Sequence, residues 1–410
     1  MDMKFVLVSQ VFYPDEASTA ELFTGLCKVL AKDGVQVDVW CAQPSYTTRK
    51  RQPEELIYDD IHIHYLRSTN FPKSHLSGRL LNYFSFSFSL IWKLLISGEK
   101  STLITHTTPP SLGILIAMLT LIRKRKFIYI LLDIFPHGLC RLGKLKDGNI
   151  FVKFWANLFR FALRRSEKIV VIGRDMEKWL LGFYVKAKPK THYIPLWQDN
   201  ALIRPKEFYK NSFVKEHNLK QHFVVQYSGN MGLWQDMKTL GLVVKKITDP
   251  DIFFVFIGGG MRKKELLDSF GDEMPANIMF LPFQSRKNLG DVLTACHVAL
   301  ISLAGSLEGM AVPSKIYGIM AAGIPVVANV PRNSEIAFIV EEEHCGLVVE
   351  PGDIEKLTKA IQFLKNNPEK RAIMGKNARE AFEKKYSVMI IAQKYRLLLF
   401  GDTEERYETI

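Results

Sequence analysis

Short apolar runs recur along this chain at helix-length intervals, and the segments between them repeat apolar residues every three or four positions. That alternation is the strongest constraint on the fold. Strands buried on both faces and joined by crossover helices build a parallel sheet. One series comprises Phe5–Ser9, Val35–Cys41, Leu103–Thr105, Phe127–Leu132 and Lys168–Ile172. A second follows Ile194-Pro195: Phe223–Ser228, Phe253–Ile257, Ile278–Phe280, Val298–Ser302 and Val326–Ala328. In 410 residues, at roughly 100–200 residues per domain, the expectation is α/β: two doubly wound, Rossmann-like domains over 1–200 and 201–385, with a linker near Pro195–Lys210. Their facing cleft would lie at the carboxyl ends of the strands, where ligands bind in open α/β sheets. Ser18 followed by Glu21 reads as a capping box ahead of the helical face Leu22, Leu26, Val29 and Leu30. The segment Tyr386–Phe400, with Met389, Ile390, Ile391, Tyr395, Leu397 and Leu398, is too apolar to leave in water. Residues 386–410 are therefore expected to pack back on the first domain.

Charge is distributed unevenly. The net charge is +13, and residues 61–168 alone hold 17 basic and 4 acidic side chains. A local basic field attracts polyanions, either an anionic membrane or nucleic acid. Two apolar stretches lie inside it. Leu112 to Ile122 is too short to span a bilayer, and Leu80 to Ser97 contains Asn82, Lys93 and several serines. Both read as helices that are buried or rest on a bilayer surface. Arg123, Lys124, Arg125 and Lys126 follow the first of them, and the aromatics Phe151, Phe154, Trp155, Phe159 and Phe161 alternate with basic residues. These features predict a peripheral protein on the inner face of the plasma membrane, with the four basic residues as its contact. MDMKFVLVSQ lacks signal-peptide architecture. The five cysteines form no CxxC pair and no zinc spacing, which fits buried thiols in a reducing cytoplasm.

The most informative segment is SLEGMAVPSKIYGIMAAGIPVVA, Ser306 to Ala328. A strand runs into a loop holding Glu308 and Gly309, and Pro313-Ser314 opens a helix that Ser314 can cap. Helix N-termini bind phosphate through free N–H groups, and Lys315 adds charge there. In VVQYSGNMGLWQDMKTL, Gly229 and Gly232 let backbone approach a ligand closely, while Asn230 and Gln235 can donate to phosphate oxygens. Gly258, Gly259 and Gly260 do not complete a dinucleotide fingerprint, since position 263 is Lys. Asp249-Pro250-Asp251 precedes a strand, so it reads as a turn away from the cleft. In the first half, the loop Tyr13 to Leu22 and Asp133, which closes an apolar strand, both face the cleft. His137 follows Asp133 by one turn.

These residues together resemble the family 4 retaining glycosyltransferases of GT-B architecture, and among them bacterial enzymes of colanic-acid, capsule and O-antigen assembly. The carrying motifs are VFYPDEASTAELFTGLCKVLAKDGVQVDVW, LLDIFPHGLCRLG, ALRRSEKIVVIGRDMEKWL, YIPLWQDN, YSGNMGLWQDMKTL, FLPFQSRKNLGDVLTACHVALISL and VPSKIYGIMAAGIPVV. The resemblance implies a nucleotide-sugar donor, a UDP-sugar by preference, bound by the C-terminal domain. Gly229, Asn230, Gly232, Gln235, Pro282, Phe283, Gln284, Gly309, Met310, Ala311, Ser314 and Lys315 would bind it. Glu308 would contact the donor sugar and, with Asp133, be catalytic. Glu16, Ser18, Thr19 and His137 would form the acceptor side. Three departures stand out. Asn230 and Gln235 occupy places where typical members carry Arg and Lys, so Lys315 is expected to supply the phosphate charge. A second glutamate, eight positions after the first in the family, is absent near Gly318. Leu132 stands where many members have His.

The implied activity is sugar transfer to a lipid-diphosphate-linked saccharide with retention, without metal or other cofactor. Front-face attack, with a phosphate oxygen accepting the acceptor's proton, needs no glycosidase-like pair of carboxylates. A GT-B-fold UDP-sugar epimerase or hydrolase is the alternative, separable because it converts the sugar with no acceptor present. A nucleic-acid-binding protein is the other rival, but the chain lacks any aromatic-basic recognition module, so nucleic acid is not an expected partner.

Overall fold

The computed structural model describes residues 3–44, 50–71, 76–98, 100–199 and 201–401. They form two units, one running to Pro195 and resuming at Val388, the other Leu196–Ser387. Residues 402–410 of the expected C-terminal helix lie outside the described residues.

In the first unit, the strands are β1 (Lys4–Ser9), β2 (Gln36–Ala42), β3 (Glu55–Tyr58), β4 (Ile61–Leu66), β5 (Thr102–His106), β6 (Phe127–Leu131), β7 (Lys168–Val171) and β8 (Thr191–Tyr193). They pair in the order β3-β4-β2-β1-β5-β6-β7-β8. All pairs are parallel except β3 with β4, a departure from the all-parallel expectation. The sheet centre is buried on both faces: Val6, Val37 and Leu103 are fully enclosed. The second unit contains β9 (Phe223–Ser228), β10 (Ile252–Ile257), β11 (Ile278–Leu281), β12 (Val298–Ser302), β13 (Val326–Asn329) and β14 (Gly346–Val349). Their order is β11-β10-β9-β12-β13-β14 and every pair is parallel. The order reverses between β9 and β12, the switch point at which doubly wound sheets open a crevice.

Four strands were not anticipated. IHIHYL in β4 alternates inward Ile61 and Ile63 with the more exposed His62 and His64, a period-2 pattern interrupted by histidines. β3, β8 and β14 are segments of three or four residues, too short to stand out as apolar runs. The capping box also fails. The first helix starts at Ser18 itself, after extended Ala17, and no side chain caps it.

The helix Val388–Phe400 packs on the helix Ser18–Lys32 within the first unit. Ile391, Ala392, Tyr395 and Leu398 are buried, whereas Met389 and Leu397 stay exposed. Lys168 Nζ donates to the Leu398 carbonyl, and Arg396 reaches Met3 Sδ.

The helix Leu76–Ile96 is two-faced. Phe86, Leu90 and Leu94 enter the core, while Phe88 is 72% and Trp92 62% exposed. Among the described residues no helix is long and apolar enough to cross a membrane. The basic run that follows Ile122 divides. Arg123 and Lys124 face solvent, but Arg125 is buried over the Trp40 ring and donates to the Ser97 carbonyl at 3.1 Å. Lys126 pairs with Glu167 at 2.8 Å. Arg125 is therefore structural, which corrects its assignment to a membrane contact, whereas Lys126 stays exposed beside Arg123 and Lys124.

Candidate active site

The carboxyl ends of β9, β10, β11 and β12 converge on one cluster of loops in the second unit. Gly229 ends β9 with φ of 118° and donates its N–H to the Ile257 carbonyl at 2.9 Å. Gly258 has φ of 116°, and a Cβ there would lie 2.4 Å from the Gly229 carbonyl oxygen. Glycine at both positions is what lets the two loops touch. Met231 N–H donates to Gly259 O at 2.8 Å. Gln235 Oε1 accepts from Gly232 N–H at 2.7 Å, so only its amide hydrogens remain to offer a ligand. Arg262 Nη1 clamps the Gln235 carbonyl at 2.8 Å. Asp236 caps the following helix through Thr239 N–H and receives Asn329 Nδ2, while its own N–H donates to Ser302 Oγ.

Lys315 reaches under this loop. Its Nζ lies 3.7 Å from the Tyr227 ring centroid and 3.4 Å from where a Gly229 Cβ would stand. The nitrogen is sealed from solvent and has no hydrogen-bond partner among the described residues. Burial alone pushes its pKa down to about 7. Tyr227 cannot relieve it, because its hydroxyl donates to Asn230 O at 2.8 Å. The surroundings thus leave an amine wanting an anion.

The helix that begins at Lys315 ends at Ala321, and Ser314 has helical dihedrals with no side-chain cap. Seven residues generate little macrodipole, so the charge of the site rests on Lys315 rather than on the capped helix terminus expected. Glu308 is half-buried on the loop after β12, ahead of Gly309 with φ of 72°. The Met310 side chain is enclosed in the core, so it cannot meet a ligand through its thioether. Ala311 and Ser314 are half-buried. After β11, Pro282 is exposed and Phe283 is 64% exposed, its ring edge beside Gly258 and Gly259. Gln284 spends its amide on the Pro282 carbonyl at 2.9 Å. Asp249 and Asp251 share Lys365 at the opposite strand ends.

In the first unit, Asp133 follows β6. Its Oδ1 is sealed without a partner, and burial pushes its carboxyl up to about 6 against the Thr107 hydroxyl, which acts to lower it. Thr107 Oγ1 also accepts the Leu132 and Asp133 N–H groups at 3.0 and 3.1 Å. Glu16 is exposed, and Ser18 and Thr19 start the first helix; the same loop stacks Tyr13 on Tyr58 and receives the Tyr65 hydroxyl at Tyr13 O. His137 has a different setting. It opens a short helix, His137–Arg141, with its ring edge-on to Trp179 and Phe183. Its Nδ1 is buried and unpartnered, and burial chiefly lowers its pKa. His137 is thus a neutral ring in an aromatic nest rather than a loop residue.

Sequence reasoning passed over two residues. Arg262 positions the Gln235 loop, and its signal was a basic residue two positions after the glycine triplet. His106 is fully buried at the end of β5, stacked on Phe23, and held neutral by burial, which pushes its pKa down to about 3. Its Nδ1 accepts from Thr108 N–H at 3.2 Å, so Nε2 carries the hydrogen and donates to Ser9 Oγ at 2.9 Å. A polar HTT following an apolar strand was the available clue.

Two Rossmann-like, mainly parallel sheets, the second with a buried unpartnered amine beneath a glycine-rich strand-end loop, have the architecture of GT-B glycosyltransferases. Residues 21–199 match the model for Glycosyltransferase Family 4, and residues 209–381 match Glycosyl transferases group 1. The chain belongs to the family 4 glycosyltransferases, and it is an enzyme of that class. It is 28% identical over 337 residues to the probable glycosyltransferase WbjE of Pseudomonas aeruginosa, covering 79% of this chain and 82% of that one. It is 24% identical over 233 residues to the putative colanic acid biosynthesis glycosyl transferase WcaI of Escherichia coli K12, covering 55% and 56% of the two. The fold is shared with Anabaena HepE, solved in complex with UDP-glucose, at a TM-score of 0.68 and 17% identity over 96% of this chain and 98% of that one.

Proposed function

We propose that this glycosyltransferase takes a sugar from a UDP-sugar and adds it, with retention and without metal, to a lipid-diphosphate-linked saccharide in bacterial surface-polysaccharide synthesis. The observation that carries the donor half is Lys315, a solvent-sealed amine with no partner, beneath the Gly229 turn. A diphosphate is the ligand chemistry such an amine lacks. The HepE complex with UDP-glucose supports the choice of donor, and the WcaI description supports the pathway.

In this reading the diphosphate rests between Lys315 and the Gly229–Gly232 loop, the nucleobase covers Phe283, and Glu308 holds the sugar. The acceptor oxygen bonds to the anomeric carbon on the face from which the diphosphate leaves. The C–O bond to phosphate breaks with its electron pair on the diphosphate, and a phosphate oxygen takes the acceptor proton. Negative charge grows on the leaving group, so a fixed cation there acts on the transition state. Asp133 serves the acceptor side. The first unit meets the cytoplasmic leaflet through its exposed apolar helix faces.

The test measures thermal stabilisation by UDP-, GDP- and dTDP-sugars, then transfer to a lipid-linked saccharide with the product anomer assigned by NMR. Stabilisation by a UDP-sugar and a retained anomer are expected. Conversion of the donor sugar with no acceptor present would instead identify an epimerase.

A further inference from the structure

Lys315 presents a problem of charge that its donor resolves. A protonated side chain would place three N–H donors and a full charge at Nζ, where no acceptor stands among the described residues. It lies over the face of the Tyr227 ring, 3.7 Å from the centroid. A cation–π contact offsets only a fraction of the desolvation of a buried ammonium. The groups around it offer nothing more. Tyr227, from β9, is kept protonated by burial, and its hydroxyl is committed to the Asn230 carbonyl. Gly229 contributes backbone alone. Arg262, on the loop after β10, is held by the Gln235 carbonyl and by Glu265 at 3.6 Å. Glu308, on the loop after β12, makes no ion pair with Nζ.

We propose that donor capture here is proton-linked: Lys315 is a neutral amine in the free enzyme and takes up one proton as the diphosphate arrives. The inference rests on the donor reading above and specifies how that site acquires its charge. Near neutral pH, burial has already brought the amine to its titration range, with a pKa of about 7. A neighbouring diphosphate, whose two charges do not titrate there in a nucleotide-sugar, restores the ammonium form. The proton comes from solvent, and no bond to carbon is made or broken. Above pH 7 the site therefore carries little unpaired buried charge before the donor binds, yet presents a full cation to the leaving group during transfer. The sign of the pH dependence follows. Below pH 7 the amine is already charged and affinity is flat. Above pH 7 each unit of pH lowers donor affinity by up to about tenfold, because the proton must be drawn from a scarcer supply.

The experiment uses the full chain with lysines carrying 13C at Cε, and whichever of UDP-glucose, GDP-mannose or dTDP-glucose binds tightest. In the free protein one lysine signal titrates near pH 7. It is missing from both Lys315→Arg and Lys315→Met, and it moves to roughly pH 10 when the nucleotide-sugar saturates. Calorimetry in buffers of different ionisation enthalpy reads about 0.9 proton taken up per ligand at pH 8 and about 0.2 at pH 6.5. Lys315→Arg binds with no proton exchange, because guanidinium is charged throughout. Proton-neutral binding to wild type at pH 8, uptake that persists in Lys315→Met, or no lysine titrating below pH 9 would overturn the inference and leave the donor reading standing. Failure of all three nucleotide-sugars to bind wild type would remove the donor reading, and this inference with it.

Discussion

Asp133 and Lys315 show one physical effect with opposite signs: burial penalises the charged form, raising the acid and lowering the base. For Asp133 the folded pKa of about 6 exceeds the ordinary 3.8. The fold thus binds this proton more tightly than the unfolded chain does. The associated stability is complete below pH 4 and is lost as pH rises through 6. Asp133→Asn should therefore stabilise the protein by up to about 3 kcal/mol at pH 8 and by almost nothing below pH 4, while transfer activity falls. Thermal unfolding of both proteins across that range checks it, and a difference independent of pH would contradict it. At the donor side, Lys315→Ala should weaken nucleotide-sugar binding by about 1.5–3 kcal/mol, the loss of a charge-assisted contact. Glu308→Ala should lower kcat more than affinity. Steady-state kinetics with both variants separates the two roles. Lys315 was legible because it follows Pro-Ser at a strand-loop-helix junction. Its solitude was not, since that depends on Tyr227 spending its hydroxyl elsewhere. His106 and Arg262 escaped notice for the same reason: their partners, Ser9 and the Gln235 carbonyl, are remote in sequence.

At the scale of elements, strands buried on both faces were read to within a residue or two, because such burial leaves one interpretation of a run such as FVVQYS. The edge strands β3, β8 and β14 were not, because they are short and incompletely buried; β3, with exposed Glu55 and Ile57, is the clearest instance. Helix termini were the other failure. Ser18 and Ser314 have the chemistry of caps, yet each lacks a capping bond, since loop geometry rather than residue type decides whether the hydroxyl reaches an N–H. The helix Val388–Phe400 shows pattern and packing agreeing in part. Ile391 and Tyr395, one turn apart, are buried on this helix, which packs on the helix Ser18–Lys32, while Leu397 stays outside. Ile391→Ala should destabilise the protein by about 2–4 kcal/mol through a core cavity, whereas Leu397→Ala should shift stability by less than about 0.5 kcal/mol. Denaturant unfolding of the pair distinguishes a core helix from a merely attached one.

At the scale of the whole molecule, charge and exposed apolar surface are concentrated in the first unit. The helices Leu76–Ile96 and Leu112–Arg123 pack together, and Leu112–Arg123 also packs on Ile150–Arg165. Each leaves apolar groups outside: Phe84, Phe88 and Trp92 on the first, Leu121 and Ile122 on the second, Ile150 and Phe154 on the third. Large apolar residues on successive exposed turns exceed what a soluble surface ordinarily carries. Arg123, Lys124 and Lys126 remain exposed beside them, and only Arg125 of the basic run is buried. Aromatic side chains at the level of the lipid headgroups, with basic residues each contributing about 1 kcal/mol near an anionic leaflet, suit a protein lying on a bilayer rather than crossing it. Replacing Phe88 and Trp92 with Ser should reduce co-sedimentation with vesicles of mixed anionic and neutral lipid at least tenfold, since two large side chains forfeit about 1.5–3 kcal/mol each. Replacing Arg123 and Lys124 with Gln should weaken binding to anionic vesicles alone, more so at low salt. Arg125→Gln should leave vesicle binding unchanged and lower thermal stability instead, because its guanidinium is spent on Ser97 and Trp40. If all these variants sediment like wild type, the exposed faces serve some other contact.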